Sequence, residues 1–289
     1  MASLKEIRNR ITSVGSTMQI TSAMKMVSAA KLKRAQDAVV QMRPYAKKLK
    51  DILENLSSSL DISDNAFAIN RGKNNVLIVA ISSNRGLCGG FNNNIIKKVN
   101  ELLKGDFSSS NVNLLCLGKK VTDAFRKSDF RIPNSEVGVD DIFSDLNFTN
   151  SSTIASRLME QFLEKKYDHI VLVYNSFINA ATQDIKVETF LPVTPTISEN
   201  GALGDYIFEP SQEEIVKELI PKSLKVQFYK GLLDSNASEH GARMTAMHKA
   251  TDNASELQRN LKLSYNKARQ AAITNEILEI VGGAEALNN

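Results

Sequence analysis

The residues best able to do chemistry gather at one turn. Arg85-Gly86-Leu87-Cys88-Gly89-Gly90 follows a short apolar run and precedes a helical pattern. A glycine-rich turn between a strand and a helix is where backbone N–H groups and the helix dipole receive phosphates in dinucleotide-binding folds. The spacing is not G-x-G-x-x-G, and no Lys-Ser/Thr pair follows to make a P-loop. A plain tight turn is therefore the favoured reading. Cys88 has no histidine near it in sequence to activate a thiolate. Of the three histidines, His169, His240 and His248, two lie eight residues apart, which is not metal-ligand spacing. Asp140 and Asp141 sit in an acidic, loop-like stretch and read as solvated. No catalytic, cofactor-binding or metal-binding set is expected, and any chemistry belongs to partners.

The elements around that turn describe a small α/β domain. Val76–Ser82 is rich in β-branched residues and bounded by Asn and Ser, the pattern of a buried strand. A helix is expected from Asn92 to Leu103, a strand over Val112–Leu117 and a helix over Lys119–Lys127. A further helix over Thr149–Lys165 leads to a strand over His169–Asn175 and an extended segment over Ile185–Val193. Alternating strands and helices predict a mostly parallel, Rossmann-like sheet. Residues 131–148 carry no clear pattern.

Two long helical patterns flank this domain. From Met247, steps of three and four reach Ala250, Ala254, Leu257, Leu261, Ser264, Ala268, Ala271, Asn275 and Leu278. A repeat of 3.5 residues on a helix of 3.6 keeps one stripe facing a partner helix. At 1.5 Å per residue the C-terminal segment would reach about 95 Å, too far for one globular domain to bury. The same walk from Leu4 runs through Ile7, Ile11, Val14 and Met18 to Leu32, Ala35, Val39, Leu49 and Leu56. Thr21, Lys25 and Ser28 interrupt it, and the apolar residues there move to Ile20, Met24 and Val27. That predicts a stripe drifting around the helix. The expected architecture is a long antiparallel coiled coil of helices 1–58 and 211–286 around an α/β domain at 74–205. Pro44 should kink the first helix and Pro221 should split the second.

Charge is segregated along the 289 residues. Residues 1–50 carry 11 basic against 2 acidic side chains, residues 222–270 carry 9 against 4, and residues 51–221 carry 16 against 23. Basic helices could attract nucleic acid, an anionic membrane or an acidic protein surface. The longest apolar run, Val76–Ile81, is far short of the roughly 20 residues of a membrane span. The first residues show no signal-peptide apolar region, and the two cysteines are expected as reduced thiols.

Several stretches resemble the gamma subunits of F-type proton-translocating ATP synthases. Ile273-Thr-Asn-Glu276-Ile-Leu-Glu279-Ile-Val-Gly-Gly283-Ala284 is similar to that family's signature I-T-x-E-x-x-[DE]-x-x-x-G-A. So are Ile20-Thr-Ser-Ala-Met24-Lys25-Met-Val27, Arg85-Gly-Leu-Cys-Gly-Gly90, Tyr174-Asn-Ser-Phe-Ile178-Asn179, and Ala242-Arg243-Met244-Thr-Ala-Met247. Ser22 stands where the family usually has Lys, His248 where Lys or Glu is common, and Gly241 where Ala is frequent. The cysteine-bearing regulatory insertion of the plant chloroplast form is missing.

The resemblance implies a rotor shaft that couples proton flow through a ring of c subunits to ATP synthesis in a head of alpha and beta subunits. It implies no cofactor and no nucleic acid partner. Contacts to beta subunits fall on Met24, Lys25, Lys31, Lys33, Arg34, Arg243, Arg269, Gln270, Thr274 and Glu276. Contacts to the epsilon subunit and the c ring fall on Tyr206, Ile207, Phe208 and Glu209. The location implied is the cytoplasmic face of a bacterial inner membrane, peripherally and through the complex. Two other classes remain: a coiled-coil arm with a hinge domain, of the chromosome-maintenance type, and an α/β nucleotide-binding enzyme with helical arms. The first would carry longer arms and an ATP-binding head. The second would bind a nucleotide at Gly86–Gly90.

Overall fold

The β-branched run at Val76 forms the central strand of a five-stranded sheet, because both of its faces can be covered with apolar side chains. The computed structural model describes residues 4–59, 66–133, 141–193 and 212–287. The elements are α1 (Leu4–Ser59), β1 (Asn75–Ile81), α2 (Phe91–Lys104), β2 (Asn111–Leu117), α3 (Lys119–Ala124), β3 (Arg131–Ile132), α4 (Phe148–Leu163), β4 (His169–Phe177), β5 (Gln183–Leu191) and α5 (Gln212–Leu287). The chain divides into two compact units, residues 1–28 with 244–289, and residues 29–243. The division therefore falls inside both long helices rather than at the ends of the α/β domain.

In the larger unit the strand order is β3-β2-β1-β4-β5. β1 pairs in parallel with β2 and β4, β2 with β3, and β5 closes the edge antiparallel to β4. Strand alternation sends Leu77, Val79 and Ile81 to one face, where they meet Ile154, Leu158 and Phe162 of α4 and Leu224 and Phe228 of α5. Val76, Ile78 and Ala80 face the other way, against Ile95, Val99 and Leu102 of α2 and Val121 of α3. Each such side chain, taken out of water, contributes about 1.5–3 kcal/mol. The expected strands and helices match to within a few residues, and the two-residue β3 is the element the pattern did not reveal.

Gly118 makes the turn from β2 into α3 possible. Its φ of 107° lies in a region that L-residues avoid, and a Cβ there would sit 2.2 Å from the Ser82 carbonyl oxygen. Gly241 has a different reason. A Cβ would come within 3.2 Å of the Ala180 Cα, so α5 lies close against the β4–β5 connection.

α5 runs unbroken through Pro221, contrary to the expected split. Proline removes one backbone donor. The burial of Ile220, Leu224 and Phe228 on either side of that step holds the helix on the sheet regardless. α1 likewise continues through Pro44.

In the smaller unit α1 and α5 run antiparallel. Arg8 Nη2 donates to the Tyr265 hydroxyl at 2.7 Å, Gly15 faces Gln258, the Thr251 hydroxyl donates to that of Thr21 at 2.8 Å, and Lys25 Nζ lies 3.4 Å from His248 Nδ1. Moving up one helix moves down the other by the same number of residues. Two expectations are corrected here. The α1 stripe does not drift: Thr21 and Ser28 stay in the seam, 9% and 3% exposed, while Ile20 and Val27 are 59% and 57% exposed. On α5 the sheltered positions from Met247 onward are Met247, Ala250, Thr251, Ala254, Gln258, Leu261, Tyr265, Ala268 and Ala272, whereas Leu257, Ser264 and Ala271 are exposed. Leu257, Ser264 and Ala271 of the expected seam thus give way to the residue that follows each, while Ala250 keeps its place beside Thr251.

Candidate functional site

Two carbonyls of the glycine-rich turn in the larger unit accept from a buried arginine. Arg243 on α5 reaches them: Nη2 donates to the carbonyls of Arg85 at 3.0 Å and Gly86 at 3.3 Å, and Nε donates to Gly86 at 3.4 Å. Nη1 pairs with Glu239 at 2.6 Å, one helical turn earlier. Arg243 is only 7% exposed. The turn is therefore tied to the chain's own helix through its carbonyls.

The rest of the turn is braced from inside. Asn92 accepts from the Ser83 amide at 3.0 Å and donates to Cys88 Sγ at 3.1 Å. Cys88, Phe91 and Ala242 form a small buried cluster. Burial pushes the Cys88 thiol up, against the pull of Ser83 and Arg243, and pushes Cys116 up to about 12. Both thiols are buried and protonated at neutral pH, which is the inert form. Burial also raises Glu239, with Arg243 and Lys31 acting against it. His240 is lowered to about 4 by burial, with Arg243 and Lys31 adding to the effect. Its Nδ1 is buried without a hydrogen-bond partner among the described residues. Among those residues no group of three His, Cys, Asp or Glu side chains is arranged for a metal ion, and no helix is long and apolar enough to cross a membrane.

The expected contact residues separate into three sets. Lys31, Lys33 and Arg34 are exposed on α1 in the larger unit, and Lys33 pairs with Asp37 at 2.9 Å. Met24 and Lys25 are half-buried on α1 in the smaller unit. Arg269, Gln270, Thr274 and Glu276 are exposed on α5, where the Thr274 hydroxyl donates to the Gln270 carbonyl at 2.9 Å. From Ile273 to Ala284 every side chain is exposed, including Ile273, Ile277, Leu278, Ile280 and Val281. Arg243 departs from the expectation, since its guanidinium is consumed inside the larger unit. Tyr206, Ile207, Phe208 and Glu209 lie outside the described residues.

Sequence reasoning missed the inward turn of Arg243. The signal available was Glu239 four residues before it, the spacing of a pair on one helix face. Thr21 and Thr251 were also missed as partners, because neither hydroxyl advertises a mate 230 residues away.

Comparison with known proteins accounts for nearly the whole chain. The family model described as ATP synthase matches residues 3–287. The ATP synthase gamma chain of Christiangramia forsetii is 61% identical over 290 residues, covering 100% of both chains. That of Flavobacterium johnsoniae is 60% identical over 291 residues, again covering 100% of both. Among solved structures, the central stalk and c ring of the Tetrahymena thermophila mitochondrial ATP synthase aligns with a TM-score of 0.59 and 27% identity, over 80% of this chain and 99% of that one. The rotor of the Euglena gracilis mitochondrial ATP synthase aligns with a TM-score of 0.67 over 93% and 98%; at 21% identity it speaks to the fold alone.

Proposed function

The chain belongs to the ATP synthase gamma-chain family, and on that premise we propose that it is the central rotor shaft of an F-type ATP synthase. It couples proton flow through a ring of c subunits to ATP synthesis or hydrolysis in the alpha and beta head. The observation that carries this reading is the identity of 61% along the full length of a gamma chain. The geometry agrees with it. Two helix segments from opposite ends of the chain are paired residue by residue, and their outward sides carry basic and apolar groups.

The subunit holds no active site of its own in this reading. Nucleotide chemistry resides in its partners; the glycine-rich turn lacks the G-x-G-x-x-G and P-loop spacings and is tied to α5 by Arg243. Met24, Lys25, Lys31, Lys33 and Arg34 on α1 meet the beta subunits, as do Arg269, Gln270, Thr274 and Glu276 on α5. Each exposed ion pair of that kind is worth about 0–1 kcal/mol, so the contact is shared among many residues. Tyr206–Glu209 meet the epsilon subunit and the c ring. The complex carries the chain to the cytoplasmic face of a bacterial inner membrane.

Reconstitution tests this reading. The purified chain is combined with the alpha, beta and epsilon subunits of its own complex and added to membranes stripped of them. ATP-driven acidification of the vesicles, absent without this chain, is the expected result. Acidification that proceeds equally well without it, or ATP turnover by the chain alone, would overturn the proposal.

A further inference from the structure

The turn at Arg85–Gly90 combines three features that a mere connection does not need. Leu87 stands at φ 62°, a backbone conformation that L-residues avoid, and Gly89 follows at φ 59°. The strained residue is not tucked away, since Leu87 is 65% exposed at the tip. The turn is also held from below by a buried cation, with Arg243 bridging Glu239 and the carbonyls of Arg85 and Gly86. Strain persists only where the surroundings over-determine it. A planar guanidinium suits that task, because its N–H groups point in fixed directions and grip several acceptors at once.

We propose that Arg243 is a positioning residue: it locks the Arg85–Gly90 turn onto α5, so that the exposed tip at Leu87 keeps a fixed place relative to the helix that carries it. The consequence for coupling rests on the rotor reading, while the clamp itself does not. A partner pushing on Leu87 pushes on α5 at once, without slack in the turn. With the clamp removed, the tip yields and the helix does not follow.

The charge of Arg243 alone would not do this. Arg243→Lys leaves one ammonium to serve either Glu239 or the turn carbonyls, but not both in the same planar arrangement. Arg243→Gln removes the cation and leaves Glu239 buried without it.

The test has two arms. In the purified chain, amide hydrogen exchange at Gly86–Gly90 is expected to quicken about tenfold in Arg243→Gln and less in Arg243→Lys, with the β1 amides unchanged. In the reconstituted complex, Arg243→Gln is expected to lower protons pumped per ATP hydrolysed by about fivefold while hydrolysis itself continues. Ala242→Cys, added to Arg243→Gln, puts a second thiol in the buried cluster with Cys88. Oxidation with diamide is expected to restore pumping, and dithiothreitol to abolish it again. Unchanged exchange at the turn overturns the clamp. So does a disulfide, shown by loss of free thiol, that forms without restoring pumping. If the unaltered chain fails to support pumping, the rotor reading falls, and the exchange arm alone still decides the clamp.

Discussion

Thr21 and Thr251 meet hydroxyl to hydroxyl, 2.8 Å apart, inside a helix–helix seam that is otherwise mostly apolar. Each hydroxyl also lies against a carbonyl of its own helix, Met18 for Thr21 and Met247 for Thr251. Removing one partner loses the cross-helix bond and sets a methyl against a hydroxyl that keeps only its own helix's carbonyl, whereas removing both leaves a matched apolar pair. Thr21→Val or Thr251→Val alone is expected to cost about 1 kcal/mol, and the double substitution to lie close to the unaltered protein. Urea midpoints of the four proteins check this, and simple addition of the two losses would count against the pairing.

Acid should weaken the larger unit through His240. Its folded value, about 4, lies below the ordinary 6.5. Between those values the unfolded chain takes up a proton that the folded chain refuses, so stability falls as pH drops from about 6.5 toward 4. Glu239 and Asp234 are raised by burial and act in the opposite direction, favouring the folded chain as their carboxyls protonate. Between pH 7 and pH 5, His240→Gln is expected to remove an acid loss on the order of 1–2 kcal/mol. Thermal midpoints at pH 7 and pH 5 measure it: the gap between them should narrow in the variant.

Gly118 admits no side chain. Gly118→Ala combines a left-handed φ with a collision against the Ser82 carbonyl. A loss of about 3 kcal/mol or more is expected, from strain and overpacking together. Circular dichroism on heating would show it, and a midpoint matching the unaltered protein would mean that the turn has another conformation.

Arg269 and Gln270 are exposed on α5. Both Arg and Gln are good helix formers, as is Leu. The double substitution Arg269→Leu with Gln270→Leu should therefore leave the helical signal of the purified chain intact. In the assembled complex it should lower ATP synthesis and steady-state hydrolysis at least tenfold, a loss of about 1.4 kcal/mol in the coupling step. Full activity in an assembled double variant would remove these residues from the proposed beta-subunit contact.

The strands were legible because a strand buried on both faces must be apolar along its whole length, as Val76–Ile81 is. The α1 stripe was legible too, up to the point where it turned polar. There the pattern pointed to Ile20 and Val27, and the structure keeps Thr21 and Ser28 inside. Apolar counting cannot see a hydroxyl that has a partner on another helix. The α5 seam shows the same blindness in volume. Gln258 takes a sheltered position opposite Gly15, where the missing side chain leaves room for a long one. Tyr265 does so where Arg8 can reach its hydroxyl. Such fits belong to pairs of residues, and one chain read in order shows its residues one at a time. Arg243 illustrates the same limit for charge, since an exposed arginine and a buried one look alike until their acceptors are placed.

The pairing of Arg8 with Tyr265 also sets an order of events. The two are 257 positions apart, so during synthesis on a ribosome α1 emerges long before its mate exists. The sheet contacts lie much closer in sequence, and closing short loops is both faster and entropically lighter than closing long ones. The α/β unit is thus able to fold first, while the apolar stripe of Leu4, Ile7, Ile11 and Val14 waits uncovered. Pairing of the first turns of α1 with the far part of α5 therefore waits until Tyr265 has been made.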